Sequence, residues 1–508
     1  MQRIVRVAIM LIISAATLVA QGAPSRPSRP PREAQPSPAA TAQAGPNIKV
    51  FDPSAMDKGA DACVNFYQYA CGGWMARNPI PADQGSWGRF NELAEHNRDV
   101  LHQILEKAAA PDPKRSPVMQ KIGDFYASCM DETKANELGA KPIEPELQRI
   151  AKIVGRDDLI KAIAHLHSIG VRVLFSFRAD PDLHNAGMNI ANLGEGGLSL
   201  PDRDYYLKDD PKSVETRQKY LEHVQKMFEL LGDNNAAQEA KTVMDVETAL
   251  AKPAMDRVAR RNPANRDHPM SRQQVEQLAP GFKFAAFFTA AGTPAFSKAN
   301  VSNPDFFKTV NGELDSIPLN DWKTYLRWHV VSAFAPQLSD AFVEENFRFR
   351  NQYLNGQKEM QARWKRCVSL TDRALGEALG QPYVEETFGA SGKQRTHALV
   401  KAIEGAMGED LHNLPWMSEE TKKAAAIKLA AVENKIGYPD TWRDYTKLSV
   451  VRGDHLGNVI RAENFDSARN LNKIGKPVDK QEWGMTPPTV NAYYNSAQNN
   501  INFPAGIL

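Results

Sequence analysis

At 508 residues, 42% of them hydrophobic, the chain has ample length for two or more domains with large buried cores. Its 62 Lys plus Arg nearly cancel 60 Asp plus Glu, leaving a formal charge of +2. No overall field therefore argues for a nucleic-acid partner or for an anionic membrane surface.

The first residues read as a secretory signal peptide, 1–22. Arg3 and Arg6 flank the start of an apolar run from Val7 to Ala20, which ends in the small-residue pattern Ala20-Gln21-Gly22. That run is shorter than the roughly 20 residues of a membrane span, so the expectation is a secreted or periplasmic protein with no membrane attachment after cleavage. Residues 23–48 are Pro, Ala, Ser, Gln and Arg with almost no large apolar side chain, the composition of a disordered linker. Four cysteines follow, Cys63, Cys71, Cys129 and Cys367. In an oxidising compartment they can form disulfides, and four cysteines allow three pairings.

Phe66, Tyr67, Ala70 and Cys71 fall at helical spacing, and Gly72-Gly73 reads as the stop. Amphipathic patterns then predict helices near 88–108, 117–137, 144–153 and 157–169. Strands are expected over 171–177 and 188–193, with a Gly- and Asp-rich loop from Gly194 to Tyr206. Helical patterns resume near 213–231, 235–259, 271–278, 303–315, 320–335, 338–354, 359–380, 394–412 and 418–435, with no fixed-period repeat. After Gly437-Tyr438-Pro439 the composition shifts towards Asn, Asp, Gly and Pro, which places a lobe boundary between 49–435 and 436–508. Alternation predicts two terminal strands, Val490 to Ser496 and Asn500 to Leu508. The sequence stops on the apolar pair Ile507-Leu508, and the expectation is of a chain cut short of its chemistry.

No catalytic constellation stands out in what is present. None of the eleven histidines lies three or four residues from another, so no single helix offers two imidazoles to a metal. His165 and His167 fall on different helix faces and read as surface or core residues. Gly389-Ala390-Ser391-Gly392-Lys393 lacks both the final Gly of a nucleophile elbow and the spacing of a phosphate loop. Gly194-Glu195-Gly196-Gly197 reads as turn chemistry, and the consecutive pairs Glu344-Glu345, Glu385-Glu386 and Glu419-Glu420 as solvated faces.

Longer motifs are more informative. Asn491-Ala492-Tyr493-Tyr494 followed by Phe503-Pro504-Ala505-Gly506-Ile507-Leu508 resembles the neprilysin and endothelin-converting-enzyme family of zinc metallopeptidases, including its bacterial secreted oligopeptidases. Asp61-Ala62-Cys63-Val64-Asn65-Phe66-Tyr67 with Tyr69-Ala70-Cys71-Gly72-Gly73-Trp74 is similar to the family's opening motif. The internal loop Gly197-Leu198-Ser199-Leu200-Pro201-Asp202-Arg203-Asp204-Tyr205-Tyr206 agrees, as do Trp416 to Lys423 and Lys435-Ile436-Gly437-Tyr438-Pro439. The likeness runs from about residue 50 to the end.

The resemblance implies a mainly α fold with minor β: the large helical lobe of a bilobal metallopeptidase, plus the first strands of an incomplete thermolysin-like catalytic lobe. It implies hydrolysis of peptide bonds in oligopeptides, in an enclosed cavity between the lobes. The terminal strand would pair antiparallel with substrate backbone, a mode that accepts many sequences. In that role the Asn491 amide both donates to and accepts from the peptide, and the Ala492 backbone adds ladder bonds. The family's zinc-binding His-Glu-x-x-His helix and later Glu ligand would lie beyond the equivalent of Leu508. Zinc is thus the cofactor of full-length members, and none is expected to bind this chain, whose catalytic and metal residues are absent. The resemblance also pairs Cys129 with Cys367 and leaves Cys63 and Cys71 without their partners. Where some animal members place arginines for a substrate's terminal carboxylate, this chain has Ser86 and Ala94, with Arg89 and Arg98 nearby, which favours an endopeptidase. The alternative is a catalytically silent peptide-binding or interaction module.

Overall fold

The computed structural model describes residues 52–508, so the expected signal peptide and linker, 1–22 and 23–48, lie outside the described residues. The first helix, α1 (Phe66–Arg77), is capped by the Asn65 side chain, which accepts from the Gln68 N–H. It runs on through Gly72-Gly73 instead of stopping there. Close approach explains these glycines: a Cβ on Gly73 would sit 2.6 Å from the carbonyl oxygens of Met56 and Ser54.

The antiparallel pair α2 (Arg89–Ala109) and α3 (Pro117–Met130) follows. Its facing stripe of Leu101, Ile104, Leu105, Ile122 and Phe125 is fully buried. The helix expected over 117–137 is in fact two, because the Asp131 side chain accepts from the Lys134 N–H and starts α4 (Glu132–Leu138). Next come α5 (Glu144–Ala151), α6 (Arg156–Ser168) and the hairpin β1 (Phe175–Asp182) and β2 (Asn185–Glu195). The strand expected over 171–177 begins only at Phe175, since Leu174 adopts φ 61°. Phe175 enters a cluster of rings, 5.3 Å from Phe282, 5.1 Å from Phe287 and 5.6 Å from Phe307.

A run of helices follows this hairpin: α7 (Asp204–Leu207), α8 (Pro211–Leu230), α9 (Ala236–Ala251) and α10 (Arg257–Arg261). Pro253 separates the last two, where the periodicity suggested one helix over 235–259. Then β3 (Pro269–Ser271), α11 (Arg272–Leu278), α12 (Phe284–Ala290) and β4 (Lys298–Val301) complete a four-stranded sheet of order β1-β2-β4-β3. After α13 (Pro304–Ser316) and α14 (Leu319–Phe334), α15 (Asp340–Asn346) continues as a π-helix over Phe347–Tyr353. Glu345, expected on a solvated face, is 7% exposed and bonds to His223 and Arg348.

The long α16 (Arg363–Thr387) packs on α2 and α3, and Cys367 in it is bonded to Cys129 in α3, as the resemblance implied. Cys63 and Cys71 are free. Two outer helices, α17 (Gly389–Asn413) and α18 (Glu419–Ala430), lead to β5 (Glu433–Gly437), a strand where the helix over 418–435 was expected to continue. A further helix, α19 (His455–Leu471), lies in the polar segment that followed the expected boundary. The chain ends with β6 (Tyr493–Asn495), β7 (Asn500–Pro504) and a 3-10 turn at Ala505–Ile507, so both terminal strands are shorter than their alternation suggested. The second sheet has the order β5-β7-β6. The observed class is mainly α with minor β.

Candidate functional site

The feature that organises the site is the edge of the second sheet. β7 sits in the centre, parallel to β5 on one side and antiparallel to β6 on the other. β6 is paired only through Tyr493 to Asn502, Tyr494 to Ile501 and Asn495 to Asn500, so among the described residues its outer edge carries no ladder. Asn499 at φ 52° closes the hairpin, a backbone state that Asn tolerates well. Asn491 and Ala492 lie immediately before β6 and not within it. Asn491 is exposed; its Oδ1 accepts from the Ala492 N–H at 2.8 Å, while its amide NH2 makes no hydrogen bond among the described residues.

Several side chains pin this edge to the helices. Asn97 on α2 is 5% exposed, and its amide donates to the carbonyls of Gly506 at 2.8 Å and Pro488 at 3.2 Å. Gly506 is required there, because a Cβ would lie 2.2 Å from the Pro488 oxygen. Thr486 donates to Asp372 of α16 at 3.0 Å and shares a hydroxyl contact of 3.0 Å with Thr489. The Tyr493 hydroxyl accepts from the Gly484 N–H at 2.8 Å. Beneath the edge the sheet is polar: Asn500 and Asn502 are fully buried, and the Asn502 amide donates to the Asn500 Oδ1 at 2.7 Å.

A groove of about 230 Å³ opens beside this anchor, bordered by Asn97 and Arg98, by Ser369 and Asp372, and by Thr489 and Val490. Burial pushes the Asp372 carboxyl up to about 6, partly opposed by the Thr486 hydrogen bond and by Arg373. Its Oδ1 is buried without a hydrogen-bond partner. Arg98 is held by Glu95, which also meets Lys365 at 3.0 Å. Of the residues tied by resemblance to carboxylate recognition, Ala94 and Arg98 border the groove, whereas Ser86 is exposed away from it. Arg89 is engaged elsewhere, with Glu92 at 2.8 Å, Asp52 at 3.3 Å and the Trp74 ring at 5.2 Å.

Among the described residues no group of three or more His, Cys, Asp or Glu side chains is placed to hold a metal ion. Individual histidines are occupied otherwise. His167 Nε2–H donates to the Val173 carbonyl at 2.8 Å and the ring is driven down to about 4 by burial, and His165 meets Glu146 at 2.7 Å. Asn491 and Ala492 carry a motif visible in the sequence, whereas Asn97 and Asp372 do not. Each is a lone polar residue on an apolar helix face, and no local spacing marks it.

Residues 62–439 match the model of peptidase family M13. Human endothelin-converting enzyme 1 is 33% identical over 484 residues, 90% of this chain and 61% of the relative. An endothelin-converting enzyme homolog from Locusta migratoria is 32% identical over 491 residues, 90% of this chain and 66% of the relative. The chain thus spans less than two thirds of these curated relatives. The solved zinc metalloprotease ZMP1 of Mycobacterium tuberculosis, in complex with inhibitor, superposes with a TM-score of 0.84 at 33% identity, covering 90% of this chain and 69% of that one. PepO from Lactobacillus rhamnosis gives 0.78 at 25% identity, covering 86% and 70%. The chain belongs to peptidase family M13, among the neprilysin-like zinc metallopeptidases.

Proposed function

We propose that this chain supplies the helical lobe and the substrate-gripping edge of a secreted or periplasmic zinc metalloendopeptidase that acts on oligopeptides. The observation that carries this reading is the unpaired outer edge of β6, with the exposed Asn491 amide at its entrance. An extended peptide laid along that edge would gain main-chain hydrogen bonds regardless of its sequence. The free Asn491 NH2 would donate to a peptide carbonyl, and its Oδ1 would exchange the Ala492 N–H for one from the peptide. Thr486, Asn97 and Gly506 hold the approach to the strand, so the edge is preorganised.

In this reading zinc and its activated water rest on ligands other than the described residues, among which no group of three or more His, Cys, Asp or Glu is placed to hold a metal ion. By itself the chain is read as binding peptides without cleaving them. Calorimetry with an uncharged extended peptide tests the first half: Asn491→Ala should weaken binding by about tenfold, the equivalent of one or two hydrogen bonds. A quenched peptide with added zinc tests the second. Chelator-sensitive cleavage by the purified chain would contradict it, and intact peptide supports it.

A further inference from the structure

A second cavity, of about 380 Å³, is bordered by the disulfide cysteines Cys129 and Cys367. Three guanidinium groups from α16, Arg363, Arg366 and Arg373, line it together with His455 from the start of α19. The spacing of three and then seven residues puts all three arginines along one helix face. No Asp or Glu lines the cavity. The acidic groups that reach these cations do so from outside: Glu132 at 3.7 Å from Arg363, Asp340 towards Arg366, Asp454 beside His455, and Asp372 and Glu463 towards Arg373.

The positive charge is therefore under-compensated within the cavity. Arg366 spends only its Nε, on the Gln361 carbonyl at 3.2 Å, and burial together with Arg363 holds it below the usual guanidinium range. Arg373 feels the charges of Asp372 and Glu463 but makes no side-chain hydrogen bond among the described residues. Two further polar atoms at the wall, Gln337 Oε1 and His455 Nδ1, are buried without partners. His455 is neutral at physiological pH, driven to about 4 by burial and by Arg363, so it presents a neutral ring nitrogen and no charge. Guanidinium forks match the two oxygens of a carboxylate, and the volume suits a small ligand or one or two side chains. Ser369 borders both this cavity and the groove at Val490, so the two lie on either side of one residue of α16.

We propose that this cavity is a carboxylate-binding site in which Arg366 and Arg373 grip the anion, supplied by an acidic peptide side chain or by a small dicarboxylic acid. The site stands apart from the β6 edge and can be measured without it. Calorimetry on the full chain at low salt would use three probes: glutarate, an N-acetylated and C-amidated peptide with one Glu, and its Gln counterpart. The expected result is binding of glutarate, the Glu peptide or both, with the Gln peptide weaker, and a loss of about tenfold in R366Q and in R373Q. Asn491→Ala should leave glutarate binding unchanged. Binding of the Glu peptide alone assigns the site to peptides, whereas binding of glutarate assigns it to free acids, and either upholds the proposal. It is overturned if wild type binds neither carboxylate probe, or if R373Q, whose side chain makes no hydrogen bond among the described residues and whose fold is checked by its unfolding curve, binds like wild type.

Discussion

Two buried polar regions of this molecule are built on opposite plans. Around Glu247, fully buried in the helical body, three hydroxyls converge on the carboxylate: Ser199 donates to Oε1 at 2.7 Å, and Tyr206 and Tyr220 donate to Oε2 at 2.7 and 2.8 Å, with His329 Nε2 3.1 Å from Oε1. Ser199 in turn accepts from the Trp328 indole at 2.9 Å. In the β5-β7-β6 sheet the accounts stay open. Asn434 Oδ1 and Asn502 Oδ1 are buried without partners, Lys435 is buried against the Glu482 carbonyl at 2.9 Å, and the outer edge of β6 pairs with no strand among the described residues. A closed network over-determines a fold, whereas an open one leaves hydrogen-bonding capacity for something else.

The largest effect should come from the covalent tie of the closed body. Its loop spans 238 residues, so Cys129→Ser with Cys367→Ser should cost up to about 5–6 kcal/mol in denaturant unfolding under the chain-entropy model. Next is Glu247→Ala, which strands three hydroxyl donors in the core and should cost about 3–5 kcal/mol. Peptide binding by whatever remains folded would be unchanged, which sharpens the contrast between the regions. Asn97→Ala crosses the divide, because it frees two buried carbonyls at the base of the edge. It should cost about 2 kcal/mol of stability and also weaken peptide binding.

Asp372 gives a pH test. Its folded carboxyl titrates near 6, above the ordinary 3.8, so between these values the native state holds a proton that the unfolded chain releases. Stability from this group therefore falls as pH rises from about 4 to about 6 and is level above. Asp372→Asn should match wild type near pH 4 and exceed it at pH 7 by up to about 2–3 kcal/mol, read as the difference between paired denaturant curves. His167 and His455, held near 4, act in the opposite sense in both proteins and cancel in that difference.

Legibility from sequence followed the same divide. The helices of the closed body announce themselves through stripes such as Leu101, Ile104, Leu105 and Ala108. The four-residue β4 and three-residue β3 are too short to show any period, and β5 was absorbed into the preceding helical pattern because Val432 and Ile436 extend its apolar spacing. The helix α19 was hidden by its polar composition, with Asn458 buried where an apolar residue would have signalled the face. The pairing of Cys129 with Cys367 came from resemblance, since spacing leaves three pairings open. At the site, Asn491 and Ala492 were legible as a motif, but Asn97 and Asp372 depend on segments some 390 and 114 residues away, as their partners Pro488 and Thr486 show. Glu345 was misread because its neighbour Glu344 is exposed and helical rotation separates the two.

The account turns on whether the open edge of β6 grips peptide backbone. The direct measurement is calorimetric titration of the full chain and its Asn491→Ala variant with an uncharged peptide and with the same peptide N-methylated at alternate amides. The account predicts that N-methylation, by removing main-chain donors, and Asn491→Ala each weaken binding by about tenfold, with the variant's unfolding free energy within about 0.5 kcal/mol of wild type. Equal affinity for both peptides, or for both proteins, would contradict it.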